Sequence, residues 1–261
     1  MRYVAIGDSF TEGVGDVLPD GSFRGWADLV AAGLSAALSE RGEPLEYANL
    51  AIRGRLLRPI VTDQLDAALA LDPAPDLLTL NGGGNDMLRP GVHLDGLLEL
   101  TEHAINRCVA AGVRIVLLSG ADPTAQLPLG RFVHRRAAYL TAGLADLCAK
   151  HSVTLVNVFG DEEIRNPAYW TSDRLHLNSL GHQRVAGLVL HGLGFGALPE
   201  AAAAAPLTAN TRGLLKDARY YCEHVLPWIN RRVRGTSSGD NRAAKHTVWQ
   251  SIAPAESTTT G

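Results

Sequence analysis

The strongest constraint on this chain is an alternation. Short, nearly continuous apolar runs at Tyr3–Ile6, Leu45–Ala48, Asp76–Leu80, Arg114–Leu118 and Thr154–Val158 are separated by longer stretches in which apolar residues recur at helical spacing. A strand that is apolar at successive positions is buried on both faces, and a sheet buried on both faces is a parallel sheet covered by helices. The segments at about 25–40, 60–71, 94–111 and 131–150 are the covering helices this pattern predicts. The fourth is the clearest: Val133, Ala137, Leu140, Leu144 and Leu147 step by four and three and make one stripe. A last helix is expected over about 179–191, with Asn178 as its N-cap. The fold class is therefore α/β.

The 261 residues, 46% of them apolar, are enough for a sizeable core. A formal charge of −3 is too small to mark a nucleic-acid or membrane surface, although it is uneven. Residues 206–261 hold eight Lys/Arg against four Asp/Glu, which leaves the first 205 residues at −7. The cluster Arg231-Arg232-Val233-Arg234 reads as a solvated charge run before it reads as a partner contact. Cys108, Cys148 and Cys222 are odd in number and far apart, and the first two fall in helical apolar patterns, so they read as free thiols in a reducing compartment. The start Met1-Arg2-Tyr3-Val4 enters a strand-like run at once, without a leader's apolar region and cleavage site, and the expected location is cytoplasmic. The most apolar long window, Val185 to Leu198, holds His191 and four glycines and falls short of a membrane span.

In an open parallel sheet, ligands bind beyond the carboxyl ends of the strands. The first predicted strand ends in Gly7-Asp8-Ser9, the second leads into Asn49-Leu50-Ala51-Ile52-Arg53-Gly54, and the third ends in Asn81-Gly82-Gly83-Gly84-Asn85-Asp86. After the last strand, a loop carries Asp173-Arg174-Leu175-His176 to the final helix. These are the parts of an acyl-transfer site. A serine hydroxyl needs a base to take its proton, and an imidazole serves best when a carboxylate orients its other nitrogen. Asp173 and His176, three apart in a turn, suit that pairing. The backbone N–H groups of Ser9 and Gly54 and the side-chain amide of Asn85 are candidate donors to the charge that develops on a carbonyl oxygen. Taken alone, Gly7-Asp8-Ser9 is equally a strand-to-helix turn with Ser9 as a cap, and Gly54 equally a turn residue.

Four such blocks in this order resemble the SGNH/GDSL hydrolase family of serine esterases. Gly7-Asp8-Ser9-Phe10-Thr11-Glu12-Gly13 matches its first block, Gly54 preceded by Asn49 its glycine block, Gly83-Gly84-Asn85-Asp86 its Gly-x-Asn-Asp block, and Asp173 with His176 its Asp-x-x-His block. One departure is Ala51, where many members carry glycine. The resemblance spans roughly residues 1–191. It implies a three-layer α/β/α, flavodoxin-like domain with a five-stranded parallel sheet. It further implies Ser9 as nucleophile, Asp173 and His176 completing a triad, Ser9, Gly54 and Asn85 as the oxyanion hole, and no metal or organic cofactor. Asp8 and Asp86 are read as supporting residues, Asp86 as one that holds its loop by hydrogen bonds. The expected division is a hydrolase domain at 1–198, a linker with a short amphipathic helix at 199–234, and a disordered tail at 235–261.

The rival readings are weaker. The Gly-rich loops contain neither GxxxxGK[ST] nor a GxGxxG directly after the first strand, so an ATP or dinucleotide enzyme is disfavoured. Nor is the serine block a GxSxG elbow, because Thr11 stands where the second glycine belongs. His182 reads as a core or solvent-facing residue of the last helix, and no cluster has zinc-ligand spacing. Arg53, Arg55 and Arg58 read as a solvated face or, being near Gly54, as an anion contact. The expected substrate is a small, soluble, short-chain ester, and no nucleic-acid partner is implied. The same site would also serve an acyltransferase, thioesterase or lysophospholipase. A binding protein that keeps the fold without turnover, and a partner-binding role for residues 206–261, are the other open readings.

Overall fold

The computed structural model describes residues 1–124, 130–201 and 239–254. The chain runs through β1 (Arg2–Ile6), α1 (Ser9–Glu12), α2 (Trp26–Ser39), β2 (Leu45–Asn49), α3 (Leu57–Pro59) and a π-helical turn at Ile60–Gln64. It continues through α4 (Leu65–Leu69), β3 (Leu77–Leu80), α5 (Gly84–Met87), α6 (Leu94–Ala110), β4 (Arg114–Leu118) and α7 (Gly130–His151). The last elements are β5 (Thr154–Val156), α8 (Ser179–Leu193) and β6 (His246–Ile252).

These strands form one six-stranded sheet in the order β5-β4-β3-β1-β2-β6. β1 to β5 are parallel and have the flavodoxin-like order, whereas β6 is antiparallel to β2. The expected sheet of five parallel strands thus gains a sixth. The expectation of a disordered tail over 235–261 is corrected at the same place, because residues 246–252 form that strand. The edge of β2 offers unpaired backbone groups, and the run Thr247-Val248-Trp249-Gln250-Ser251-Ile252 has the β-branched and aromatic character to pair with it. Much of the segment 199–234, including its expected helix, lies outside the described residues, as do Cys222 and the Arg231–Arg234 cluster.

The near-continuous apolar strands follow from the two covered faces. In β1, Tyr3 and Ala5 point into a core shared with Trp26, Val30 and Leu34 of α2 and Val185 and Val189 of α8. Val4 and Ile6 point the other way, toward Leu57, Ile60 and Leu65 and toward Leu97, Ile105 and Cys108 of α6. Each strand therefore feeds two cores with alternate residues. The expected helices are found close to their predicted bounds. Where a single helix was expected at 60–71, the chain instead makes α3, the π turn and α4.

Buried thiols follow from this packing. Cys108 is wholly inaccessible and Cys148 nearly so, and burial pushes both thiols up to about 11. In native protein at pH 8, both are expected to resist an aromatic disulfide reagent for hours and to react within minutes in 6 M guanidinium (both times order-of-magnitude expectations). Mass-spectrometric location of the labelled residues checks this.

Candidate active site

Order reversal in the sheet falls between β1 and β3, where a crevice opens beyond the strand ends. β1 delivers Gly7, Asp8 and Ser9 to it, and β3 delivers Asn81 to Asn85. The turn after β1 has no room for a side chain at its first residue. A Cβ on Gly7 would lie 2.4 Å from Thr11 Oγ1 and 2.8 Å from the Asn81 carbonyl oxygen. Gln64 holds the same residue from the side, its Oε1 accepting from Gly7 N at 2.8 Å and its Nε2 donating to Gly7 O at 2.9 Å. Asp8 caps α1, its carboxylate accepting from Phe10 N at 3.1 Å, and Ser9 opens the helix.

Ser9 meets Asp173 and His176, more than 160 residues later in the chain, at this crevice. Ser9 Oγ is 3.2 Å from His176 Nε2, and His176 Nδ1 is 2.6 Å from Asp173 Oδ2. The other carboxylate oxygen of Asp173 accepts from Thr171 Oγ1 at 2.6 Å, Leu175 N at 2.9 Å and His176 N at 2.9 Å. Partial burial opposes ionisation of Asp173, but its bonds and the charge of His176 outweigh that and hold the carboxyl well below the usual carboxylate range. A carboxylate that stays ionised and engages Nδ1 fixes the imidazole with Nε2 toward the serine.

Asn85 lines the crevice from the β3 side, and Gly54 lies in the loop that follows β2. Gly54 has φ 74°, in the left-handed region, which suits the glycine and orients its peptide. Asn85 Nδ2 is 3.1 Å from both Asp8 Oδ2 and the Arg55 carbonyl oxygen, so its amide is aimed by the first and second blocks together. Asp86 accepts from Leu57 N at 2.9 Å and ties its own loop to the segment after Gly54. Asp8 is buried, and burial raises its carboxyl to about 6; the charge of Asp86 adds to the rise, while Phe10 N, His176 and Asn85 oppose it.

Of the arginines near Gly54, Arg58 is exposed and Arg55 half-buried. Arg53 is an ion-pair partner of Glu12 and no solvated face: its backbone N donates to Oε2 at 2.7 Å and its guanidinium grips both oxygens. His182 lies in the core. Its Nδ1 accepts from Trp26 N at 3.2 Å and its Nε2 donates to Val14 O at 3.3 Å, and burial lowers it to about 4, so it is neutral at pH 7. Among the described residues, no group of His, Cys, Asp and Glu is arranged to hold a metal ion, and no helix is long and apolar enough to cross a membrane. From Ser9 and His176 a cleft of about 150 Å³ leads between α6 and α7, walled by Leu97, Val133, Leu140, Leu144 and Phe159.

Three holding residues escaped the sequence reading: Gln64, Thr171 and Glu12. Gln64 carried a signal, because it stands four residues after Ile60 and four before Ala68, on a stripe otherwise buried and apolar. A polar residue on such a stripe needs a partner.

With this geometry established, the comparisons decide the family. The model of the GDSL-like lipase/acylhydrolase family matches residues 5–184. The chain belongs to that family. It is a carboxylic ester hydrolase. Comparison with curated proteins gives no match. Among solved structures, this GDSL hydrolase is similar to the psychrotrophic esterase EstA from Pseudoalteromonas sp., with 17% identity, 74% of this chain and 96% of that chain covered, and TM-score 0.57. It is also similar to a variant of Axe2, an acetyl xylan esterase from Geobacillus stearothermophilus, with 20% identity, coverage of 76% and 97%, and TM-score 0.61. A third is LAE5, an α/β hydrolase enzyme from the metagenome of Lake Arreo, Spain, with 22% identity, coverage of 75% and 96%, and TM-score 0.62. At these identities the likeness establishes a shared fold.

Two substitutions test the physical account of the site. Gln64→Leu leaves the Gly7 N–H and carbonyl without partners and is expected to lower stability by about 2–4 kcal/mol, measured by urea unfolding. For Asp8, a folded carboxyl raised above its ordinary value of 3.8 contributes stability that is fully present below that pH and lost as the pH rises through about 6. Asp8→Asn is therefore expected to gain on wild type between pH 4 and pH 7, on the order of 2–3 kcal/mol. A difference between the two unfolding free energies that stays constant over that range counts against the raised carboxyl.

Proposed function

We propose that Ser9 is the nucleophile of this hydrolase, His176 its general base and Asp173 the carboxylate that orients the base. The observation that carries this reading is the continuous relay Ser9 Oγ–His176 Nε2 at 3.2 Å and His176 Nδ1–Asp173 Oδ2 at 2.6 Å, with Ser9 and His176 both lining the cleft. His176 removes the hydroxyl proton as Ser9 Oγ attacks the ester carbonyl carbon. The Ser9 and Gly54 N–H groups and the Asn85 amide receive the oxyanion, for which one present contact of Asn85 is shared or released. Collapse expels the alcohol, protonated by His176, and leaves an acyl-Ser9 ester. Water, deprotonated by His176, attacks that ester; the acid departs and Ser9 recovers its proton.

The acyl group enters the apolar cleft. Its volume of about 150 Å³ equals that of an engineered apolar cavity that holds benzene, which sets the expected acyl length at about two to six carbons. The reading of short, small esters is supported by this size and by the likeness to an acetyl xylan esterase.

Nitrophenyl esters from two to twelve carbons test both parts. Hydrolysis is expected to be fastest at six carbons or fewer; a maximum at ten or twelve would overturn the short-chain reading. Ser9→Ala is expected to abolish turnover and fluorophosphonate labelling, and Asp173→Asn to lower kcat about 10³–10⁴-fold. Full activity in folded Ser9→Ala protein would remove Ser9 from the mechanism.

A further inference from the structure

The C-terminal segment at 239–254 lies beyond the family match, which ends at residue 184, yet it bears directly on the loop that carries Gly54. β6 runs along β2 with register Leu45↔Ile252, Glu46↔Ser251, Tyr47↔Gln250 and Asn49↔His246. Its first residues therefore lie beside the end of β2, where the loop to Gly54 begins. The strand is anchored along its length: Trp249 Nε1 donates to Pro73 O at 2.9 Å, and Ile252 O accepts from Ser35 Oγ at 2.8 Å.

Two physical routes lead from this segment to the loop. In the first, Gly239 is buried against the Arg53 backbone so closely that a Cβ there would lie 2.0 Å from the Arg53 carbonyl oxygen and 2.8 Å from Ile52 Cγ2. The Arg53 carbonyl and the Gly54 N–H are two ends of one planar peptide, so what limits the oxygen also fixes the direction of the N–H. Glu12 already grips Arg53 from its amide side. Gly239 limits it from the carbonyl side.

In the second route, Lys245 Nζ donates to Asp28 Oδ2 at 2.7 Å, and Asp28 Oδ1 accepts from Tyr47 OH at 3.2 Å. Tyr47 OH in turn accepts from Asn49 Nδ2 at 2.9 Å, and Asn49 Oδ1 accepts from Ala51 N at 3.1 Å. The ring of His246 meets Tyr47 edge-on at 5.9 Å. This chain of bonds ends within three residues of Gly54.

We propose that residues 239–254 are a positioning element of the active site: docked as β6, they hold the 49–54 loop so that the Gly54 N–H points at the oxyanion. The inference rests on the reading of Gly54 as an oxyanion donor. The segment touches no reacting atom and acts through Arg53 and Asn49. A donor that must be aimed before charge develops gains from a second support, because a misplacement of about 1 Å in a reacting constellation costs on the order of 10²-fold.

The test uses full-length chains folded to the same circular-dichroism signal. Gly239→Ala is expected to lower kcat on nitrophenyl acetate ten- to hundredfold with KM changed less than about threefold, and to speed amide hydrogen exchange in a peptide spanning 49–57. Lys245→Ala, which leaves the Gly239 contact intact, is expected to lower kcat about threefold with a smaller rise in exchange. Val248→Thr, on the exposed face of β6, is expected to change neither. Unchanged kcat and unchanged exchange in Gly239→Ala overturn the proposal; if that variant does not fold, the same result in Lys245→Ala overturns it. If wild-type protein hydrolyses no ester, the catalytic reading fails, and loop exchange alone still decides whether the segment braces the loop.

Discussion

The end of β1 is packed so tightly that its first turn residue carries no side chain, and the rest of the site depends on that closeness. Gly7 lies against Thr11 and the Asn81 carbonyl, with Gln64 bonded to both of its peptide groups. Ser9 thereby stands at the start of a short helix, on a rigid strand end, with no freedom to follow a mobile loop. Its distance to His176 is then set by the α8 side of the molecule, where Asn178 caps the helix and Thr171, Leu175 and His176 bind the Asp173 carboxylate. A relay assembled from two ends of the chain is only as precise as each anchor. Here both anchors are turns closed by hydrogen bonds, buried at Gly7 and partly buried at Asp173.

The second and third blocks are joined to the first by the same means. Asn85 reaches Asp8 and the Arg55 carbonyl, Asp86 reaches Leu57 N, and Glu12 grips Arg53. Each bond crosses from one strand end to another. The four sequence blocks therefore form one hydrogen-bonded unit, and removing any crossing bond loosens donors that the removed residue does not itself supply.

Much of this was legible in the sequence, for reasons that can be named. β1 to β5 announced themselves because both faces of each strand are buried, and α6, α7 and α8 because their apolar stripes are regular. Ser9, Gly54, Asn85, Asp173 and His176 stood out as candidates because glycines and polar residues interrupt apolar runs where strands end. Gln64 and Glu12 did not, since a side chain that serves a distant backbone leaves only a polar residue in an unexpected place. β6 was hidden for a different reason. Its pairing is with an edge some two hundred residues earlier, its own faces are only partly buried, and a Ser- and Gly-rich approach resembles a solvated end. The π turn that aims Gln64 was equally hidden, because a helical stripe does not reveal one extra residue per turn.

The site also has an electrostatic problem to solve. An ester hydrolase develops negative charge on the carbonyl oxygen, yet three carboxyl groups, Asp8, Asp86 and Asp173, stand around the crevice. Their environments divide the roles. Asp173 is driven to ionise by its bonds, and its charge faces the His176 imidazole. Asp8 is driven the other way by burial, so that its carboxyl titrates near neutrality, and what charge it carries is received by Phe10 N and Asn85. Asp86 accepts from the Leu57 amide. The two carboxyl groups, Asp8 and Asp173, thus carry pKa values pushed in opposite directions, the pattern by which environments divide acidic groups within one site.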